Sequence, residues 1–274
     1  MYIHTTNYTL KDKAQQLQTY NKDLAKNILK EYLQDLVLDI IYHHPKYKNL
    51  IFYGGTTLRK IYGIDRVSED LDFESRQTVN LEDMKNMFTK KFKEEKMHFV
   101  DISTQSSEKI SRCILKFAIL YELGLSNNKN EKLHIKVEIN TQKRKYETTI
   151  TPYSQGLYSM LIKHYTLPVS MASKMIACTN RIYKKGKSGI TIKGRDYYDL
   201  LWYMQNKVVP DTKLLKDNGY TTKKIFKEIG EKVEKITSKD LLTDLIALHP
   251  DTIYIKDWCK NFHTMYAELY KEQY

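Results

Sequence analysis

Leu50 to Glu74 reads L-I-F-Y-G-G-T-T-L-R-K-I-Y-G-I-D-R-V-S-E-D-L-D-F-E, and the order of residue types in it decides the fold. The apolar run Leu50 to Tyr53 suits a short buried strand. Gly54 and Gly55 let the backbone turn sharply without Cβ clashes. Thr56 and Thr57 then open a short amphipathic helix with Leu58 and Ile61 facing inward, and Gly63 to Ser68 returns the chain to a second strand, D-L-D-F. Asp70 and Asp72 are two apart, so on a strand both carboxylates share one face while Leu71 and Phe73 take the other. Two carboxylates beside a glycine turn, and beside a helix N-terminus with unpaired N–H groups, can hold magnesium against nucleotide phosphates. A D-x-D pair alone is a weak signal; the apolar strand and G-G-T-T ahead of it make it specific.

A sheet-borne metal site needs a third oxygen ligand, and the clearest strand in the chain supplies one. In Leu133 to Asn140, Leu133, Ile135, Val137 and Ile139 alternate with His134, Lys136, Glu138 and Asn140. Glu138 is therefore the expected third ligand; its other reading is a pair with Lys136 or with a cross-strand lysine. Around these strands, Thr9 to His43 lacks Gly and Pro and carries a helical apolar stripe, and Asn80 caps a helix with Leu81, Met84, Phe88 and Phe92 on one side. Phe99 to Ser103 and Ile110 to Tyr121 read as strands, although I-L-K-F-A-I-L fits a buried helix equally well. After Pro152 the expectation is helical: Leu157 to Tyr165, then a helix capped by Ser170, then Arg195 to Gln205, and two or three more from Asp211 to Tyr274. The fold class expected is α+β and bilobed, with a mixed sheet flanked by helices in residues 1–150 and a mainly helical lobe in 151–274.

The net charge is +12, with 20 basic against 13 acidic residues in 151–274 and 25 against 20 in 1–150. A basic excess favours a polyanionic partner, most simply nucleic acid. The densest cationic stretch joins Arg181, Lys184, Lys185 and Lys187 to Lys193 and Arg195, with no acid among them before Asp196. Three widely spaced cysteines, Cys113, Cys178 and Cys259, form no disulfide framework or zinc spacing. With no signal peptide and no apolar run of membrane-spanning length, a cytoplasmic protein without a membrane partner is expected. Lys174 and Arg181 are two helical turns apart and share a face; Asp196 can orient Lys174, Arg181 or Arg195, act as a base, or simply cap its helix.

Four blocks in order now carry a resemblance: G-G-T-T-L with R-V-S-E-D-L-D-F, then I-K-V-E-I, then S-K-M-I-A-C-T-N-R, then K-G-R-D-Y-Y-D-L. Together they resemble the AbiEii/MenT-type nucleotidyltransferase toxins of bacterial toxin–antitoxin pairs, across Leu50 to Leu200. The resemblance implies a DNA polymerase β-like core and an enzyme that moves nucleotides from an NTP to RNA, such as the 3′ acceptor end of tRNA. It also implies growth arrest, a role in phage defence, and a cognate antitoxin as partner. By position, Gly54, Gly55, Thr56, Thr57 and Ser68 would line the phosphates. Asp70, Asp72 and Glu138 would hold Mg²⁺, in two ions, with Lys174 and Arg195 on the triphosphate and Asp196 completing the catalytic set. The fourth block often reads R-x-K-D; here Lys193-Gly194-Arg195-Asp196 exchanges the two cations. Transfer to a protein hydroxyl, or nucleotide binding without transfer, are the competing functions.

Overall fold

The computed structural model describes residues 3–181 and 192–273, with side chains from residue 10 to residue 272. The chain divides into two compact units, Met1–His164 and Tyr165–Tyr274.

The first unit opens with α1 (Ile3–Gln16), a 3-10 turn (Leu17–Thr19) and α2 (Lys22–His43). Asn21 caps α2 by accepting from the Leu24 amide at 2.9 Å. Strand β1 (Ile51–Tyr53), α3 (Gly55–Tyr62) and β2 (Leu71–Ser75) follow, then α4 (Leu81–Glu94), β3 (Val100–Ser106), β4 (Ile110–Phe117), β5 (Leu133–Thr141), β6 (Thr148–Gln155) and β7 (Tyr158–Tyr165). The ambiguous apolar run after Ile110 is strand only as far as Phe117, with Ala118 to Leu120 in a turn, and Asn80 caps α4 through the Glu82 and Asp83 amides. The seven strands form one mixed sheet in the order β3-β4-β5-β2-β1-β7-β6. Both β1–β2 and β4–β5 are antiparallel, whereas β2 runs parallel to β5 and β1 parallel to β7.

One face of the sheet is the core. Leu71, Phe73, Cys113, Leu115, Phe117, Ile135, Val137 and Ile139 are all buried there. Helix α2 backs β5 and α4 backs β3 and β4. That leaves the polar residues of β2, β4 and β5 on the other face, where the period of two put them.

One expectation fails in this unit. Leu157 to Tyr165 is not a helix but β7, the second arm of a hairpin that turns at Gly156 with φ +59°. Met160, Ile162 and His164 point into the core while Leu161 stays 63% exposed, the signature of a strand. The hairpin therefore belongs to the sheet and not to the helical lobe.

The second unit is helical: α5 (Leu167–Asn180), α6 (Gly194–Gln205), α7 (Thr212–Asp217), α8 (Thr222–Val233), α9 (Ser238–Leu245) and α10 (Thr252–Gln273). Four helices follow Asp211 where two or three were expected. Helix α5 starts earlier than expected, with Thr166 at its N-cap and Pro168 in its first turn, so Ser170 lies inside it. Proline is tolerated there because its missing N–H has no helical partner to lose. Tyr197, Tyr198, Trp258, Phe262 and Tyr266 pack α6 against α10.

Candidate active site

The β2–β5 pairing sets Asp72 directly beside Glu138, with Leu71 beside Val137 and Phe73 beside Ile139. Paired residues point to the same face, so the two carboxylates share the open side of the sheet. Asp70 precedes β2 by one residue and is half-exposed. Gly54, with φ +84°, is what lets β1 turn so close to this strand: a Cβ built on it falls 2.7 Å from Asp72 Oδ2. Gly54→Ala therefore carries backbone strain and displaces the Asp72 carboxylate. It should lower stability by about 1–3 kcal/mol, read as a drop in melting temperature by circular dichroism, with loss of activity in the same protein.

A buried polar network fixes the height of the loop that delivers β2. Glu31 on α2 accepts from Arg59 at 3.1 Å and from the Ser68 amide at 3.3 Å. Gln34 Nε2 donates to the Ser68 and Glu69 carbonyls, both at 3.0 Å. Lys60 pairs with Asp35 at 2.5 Å, and Tyr153 donates to the same carboxylate at 2.8 Å. Burial pushes the Glu31 carboxyl up, and Arg59 and Lys60 oppose it. Thr56 is fully buried; it donates to the Asp70 carbonyl and accepts from the Ser68 hydroxyl at 2.9 Å. Ser68 is buried too, so the Thr56 and Ser68 hydroxyls tie α3 to the carboxylate strand, whereas the buried Thr57 hydroxyl has no hydrogen-bond partner among the described residues. Beneath the turn lies the buried Arg66; a Cβ on Gly55 would fall 2.6 Å from its Nη2.

The donors fit Mg²⁺ in kind, since it binds hard carboxylate oxygens. As the side chains stand, no three Asp, Glu, His or Cys groups among the described residues converge to hold an ion. Two cations explain the arrangement: Arg112, opposite Glu138 on β4, donates to Glu138 Oε1 at 2.8 Å, and Lys136 lies 3.9 Å from Asp70. Glu138 thus stands beside Asp72 and also makes a cross-strand ion pair, with an arginine instead of a lysine.

In the second unit, Lys174 on α5 reaches two acids of α6, Asp196 and Asp199, each at 2.8 Å. Arg181 closes on the other Asp196 oxygen at 2.6 Å. Of the three roles open to Asp196, orienting Lys174 and Arg181 is the one its contacts show. Burial alone would raise the Asp196 carboxyl, but Lys174 and Arg181 outweigh it and hold it at about 2. Gly194 is required at the head of α6, because a Cβ there would meet the Leu241 carbonyl oxygen at 2.9 Å.

Sequence reasoning missed Arg112, and it named Lys193 as one of the exchanged cations of the fourth block without giving it a role. Lys193 lines a cavity of about 20 Å³ with Arg181, Asp196, Tyr197 and Lys232, room for about one water. Burial first, and then the charge of Arg195, bring its ammonium down to about 8. An unfolded lysine titrates near 10.4, so between pH 8 and 10 the unfolded chain binds more protons and this group makes stability rise with pH. Lys193→Met should abolish that rise and stabilise the second unit at pH 7 by about 1 kcal/mol, after allowance for solvent screening, measured by urea unfolding at pH 7 and pH 10. The R-x-K-D exchange was the available signal: the block puts Lys193 against Asp196, and the Arg195 amide donates to Asp244 at 3.1 Å. Lys184, Lys185 and Lys187 lie outside the described residues.

The fold and the two carboxylate-bearing strands define a class: a mixed seven-stranded sheet with flanking helices, of the kind nucleotidyltransferases use. JHP933 from Helicobacter pylori has the same fold, with a TM-score of 0.55 and 16% identity over 90% of this chain and 93% of that one. A second Helicobacter pylori protein, named as a candidate nucleotidyltransferase, aligns with a TM-score of 0.53 and 17% identity over 90% and 97%. No curated protein matches the chain. The model of the nucleotidyl transferase AbiEii toxin family, type IV toxin–antitoxin system, matches residues 36–272. The chain belongs to that family, so it is a nucleotidyltransferase toxin whose counterpart is an antitoxin. Among the described residues, no helix is long and apolar enough to cross a membrane.

Proposed function

We propose that this toxin is Mg²⁺-dependent and transfers nucleotides from an NTP to RNA in the cytoplasm, with the 3′ acceptor end of tRNA as the preferred acceptor. The observation that carries the reading is the pairing of Asp72 with Glu138 on one open sheet face, next to a glycine turn that only glycine can make there. When bound, the divalent ion supplies Lewis-acid charge on the phosphoryl oxygens and lowers the pKa of the attacking hydroxyl. The chain's part is positioning. Asp70, Asp72 and Glu138 provide hard oxygens, Gly54 and Gly55 bring backbone amides to the phosphates, and the buried Arg66 adds positive charge under the turn. In the second unit, Asp196 and Asp199 hold Lys174 rigid.

Arg112 competes with the ion for Glu138. Arg112→Gln should therefore bind Mn²⁺ about fivefold more tightly, the worth of a half-exposed ion pair, by calorimetry on the nucleotide-free protein. The acceptor is tested by incubating the protein with labelled NTP and total cell extract, with and without ribonuclease. Ribonuclease-sensitive label in a tRNA-sized band supports the reading. Ribonuclease-resistant label on protein transfers the proposal to a protein hydroxyl. Toxicity that survives Asp72→Ala makes the protein a nucleotide-binding regulator.

A further inference from the structure

The sheet face that carries the carboxylates continues past them as a cationic strip. In register, Glu138 faces Arg112, which faces Gln105; the next row is Lys136, Ile114 and Ser103; the next is His134, Lys116 and Asp101. None of these nine residues is buried, whereas Val137, Ile135, Cys113 and Leu115, which alternate with them, are fully buried on the far side. Lys132 is bonded to Asp101 at the strip's end. The local field is positive: partial burial and then Lys116, Lys30, Lys136 and Lys132 hold the His134 imidazole below its ordinary range.

We propose that this strip of β3, β4 and β5 is the track for the acceptor nucleic-acid strand, with Lys116, Lys136 and Arg112 on its phosphates and its 3′ end directed to Asp72 and Glu138. The proposal rests on the nucleotidyl-transfer reading above and adds where the acceptor lies. Charge is one argument. Residues two apart on a strand are about 6.8 Å from each other and neighbouring strands about 4.8 Å, so the three cations make a compact set aimed at one strand and not a diffuse basic surface. Continuity is the second argument, because the strip begins at Glu138 itself. Ile114, half-buried in its middle, offers an apolar spot for one base.

The test is fluorescence anisotropy with a short labelled single-stranded RNA, without NTP or divalent ion, over a range of salt. Three proteins are compared: the unmodified chain, Lys116→Gln/Lys136→Gln, and Lys90→Gln/Lys93→Gln. Lys90 and Lys93 are exposed on α4, so both variants lose the same net charge. The strip variant should bind about 10-fold more weakly, with a log–log salt slope reduced by about 1.4, or 0.7 per lost phosphate contact. The α4 variant should stay within about twofold. Equal losses in both variants, no loss in the strip variant, or no binding by the unmodified chain at low salt each overturn the proposal. Because no NTP is present, a protein that fails to transfer nucleotides contradicts the function proposed above without deciding this result.

Discussion

Asp72→Asn should abolish nucleotide transfer, by on the order of 10³-fold, while leaving the protein folded. The amide keeps the shape of the carboxylate, so the close approach of Gly54 and the pairing with Tyr53 and Glu138 survive. What disappears is the negative charge that the ion needs. The change also removes like-charge repulsion beside Glu138 and Asp70, which favours the folded state slightly. Activity is measured as labelled nucleotide incorporated into RNA, folding as the melting temperature by circular dichroism. A variant retaining a tenth of the activity (roughly 1.4 kcal/mol of barrier) removes Asp72 from the metal site.

Lys174→Met should cost the second unit about 3–5 kcal/mol of stability, the penalty for stranding buried charge. Asp199 is fully buried, Asp196 nearly so, and Lys174 reaches both. Arg181 can still balance Asp196. Adding Asp199→Asn should recover part of the loss, since a neutral amide needs less desolvation. The two tryptophans, Trp202 and Trp258, are both in the second unit, so their fluorescence during urea unfolding reports on this unit. The same cluster sets the acid limit. The Asp196 carboxyl is depressed to about 2, below its unfolded value near 3.9, so its contribution is full above about pH 4 and is lost as pH falls towards 2.

The first strand–turn–helix–strand was legible because each signal is local: an apolar run, two glycines, and carboxylates two apart. The site's second half was legible only as chemistry. That Glu138 falls beside Asp72 depends on a parallel pairing between strands more than sixty residues apart, which no local pattern encodes. Arg112 was invisible for the same reason; it stands opposite Glu138 by virtue of the β4–β5 register alone. The β6–β7 hairpin was missed for a different reason. Leu161 is apolar yet exposed, so it fills the gap between Met160 and Ile162 and disguises a period of two as a helical apolar run. Gly156, at positive φ between the two arms, was the signal that outweighs it. In the second unit, Lys174 and Arg181 do not share a helix face, because α5 ends at Asn180 and Arg181 is its extended C-cap; what joins them is their common partner Asp196. The deeper contact of Lys174 with Asp199 needed the packing of α5 on α6.

The Asp72–Glu138 pair is tested most directly by a crystal structure with Mn²⁺ and a non-hydrolysable NTP analogue. The anomalous signal should lie on the open sheet face, ligated by Asp72 and Glu138, with the Arg112 guanidinium turned away from Glu138. A bound analogue with no ion on these carboxylates, and with the Arg112–Glu138 pair intact, contradicts the account.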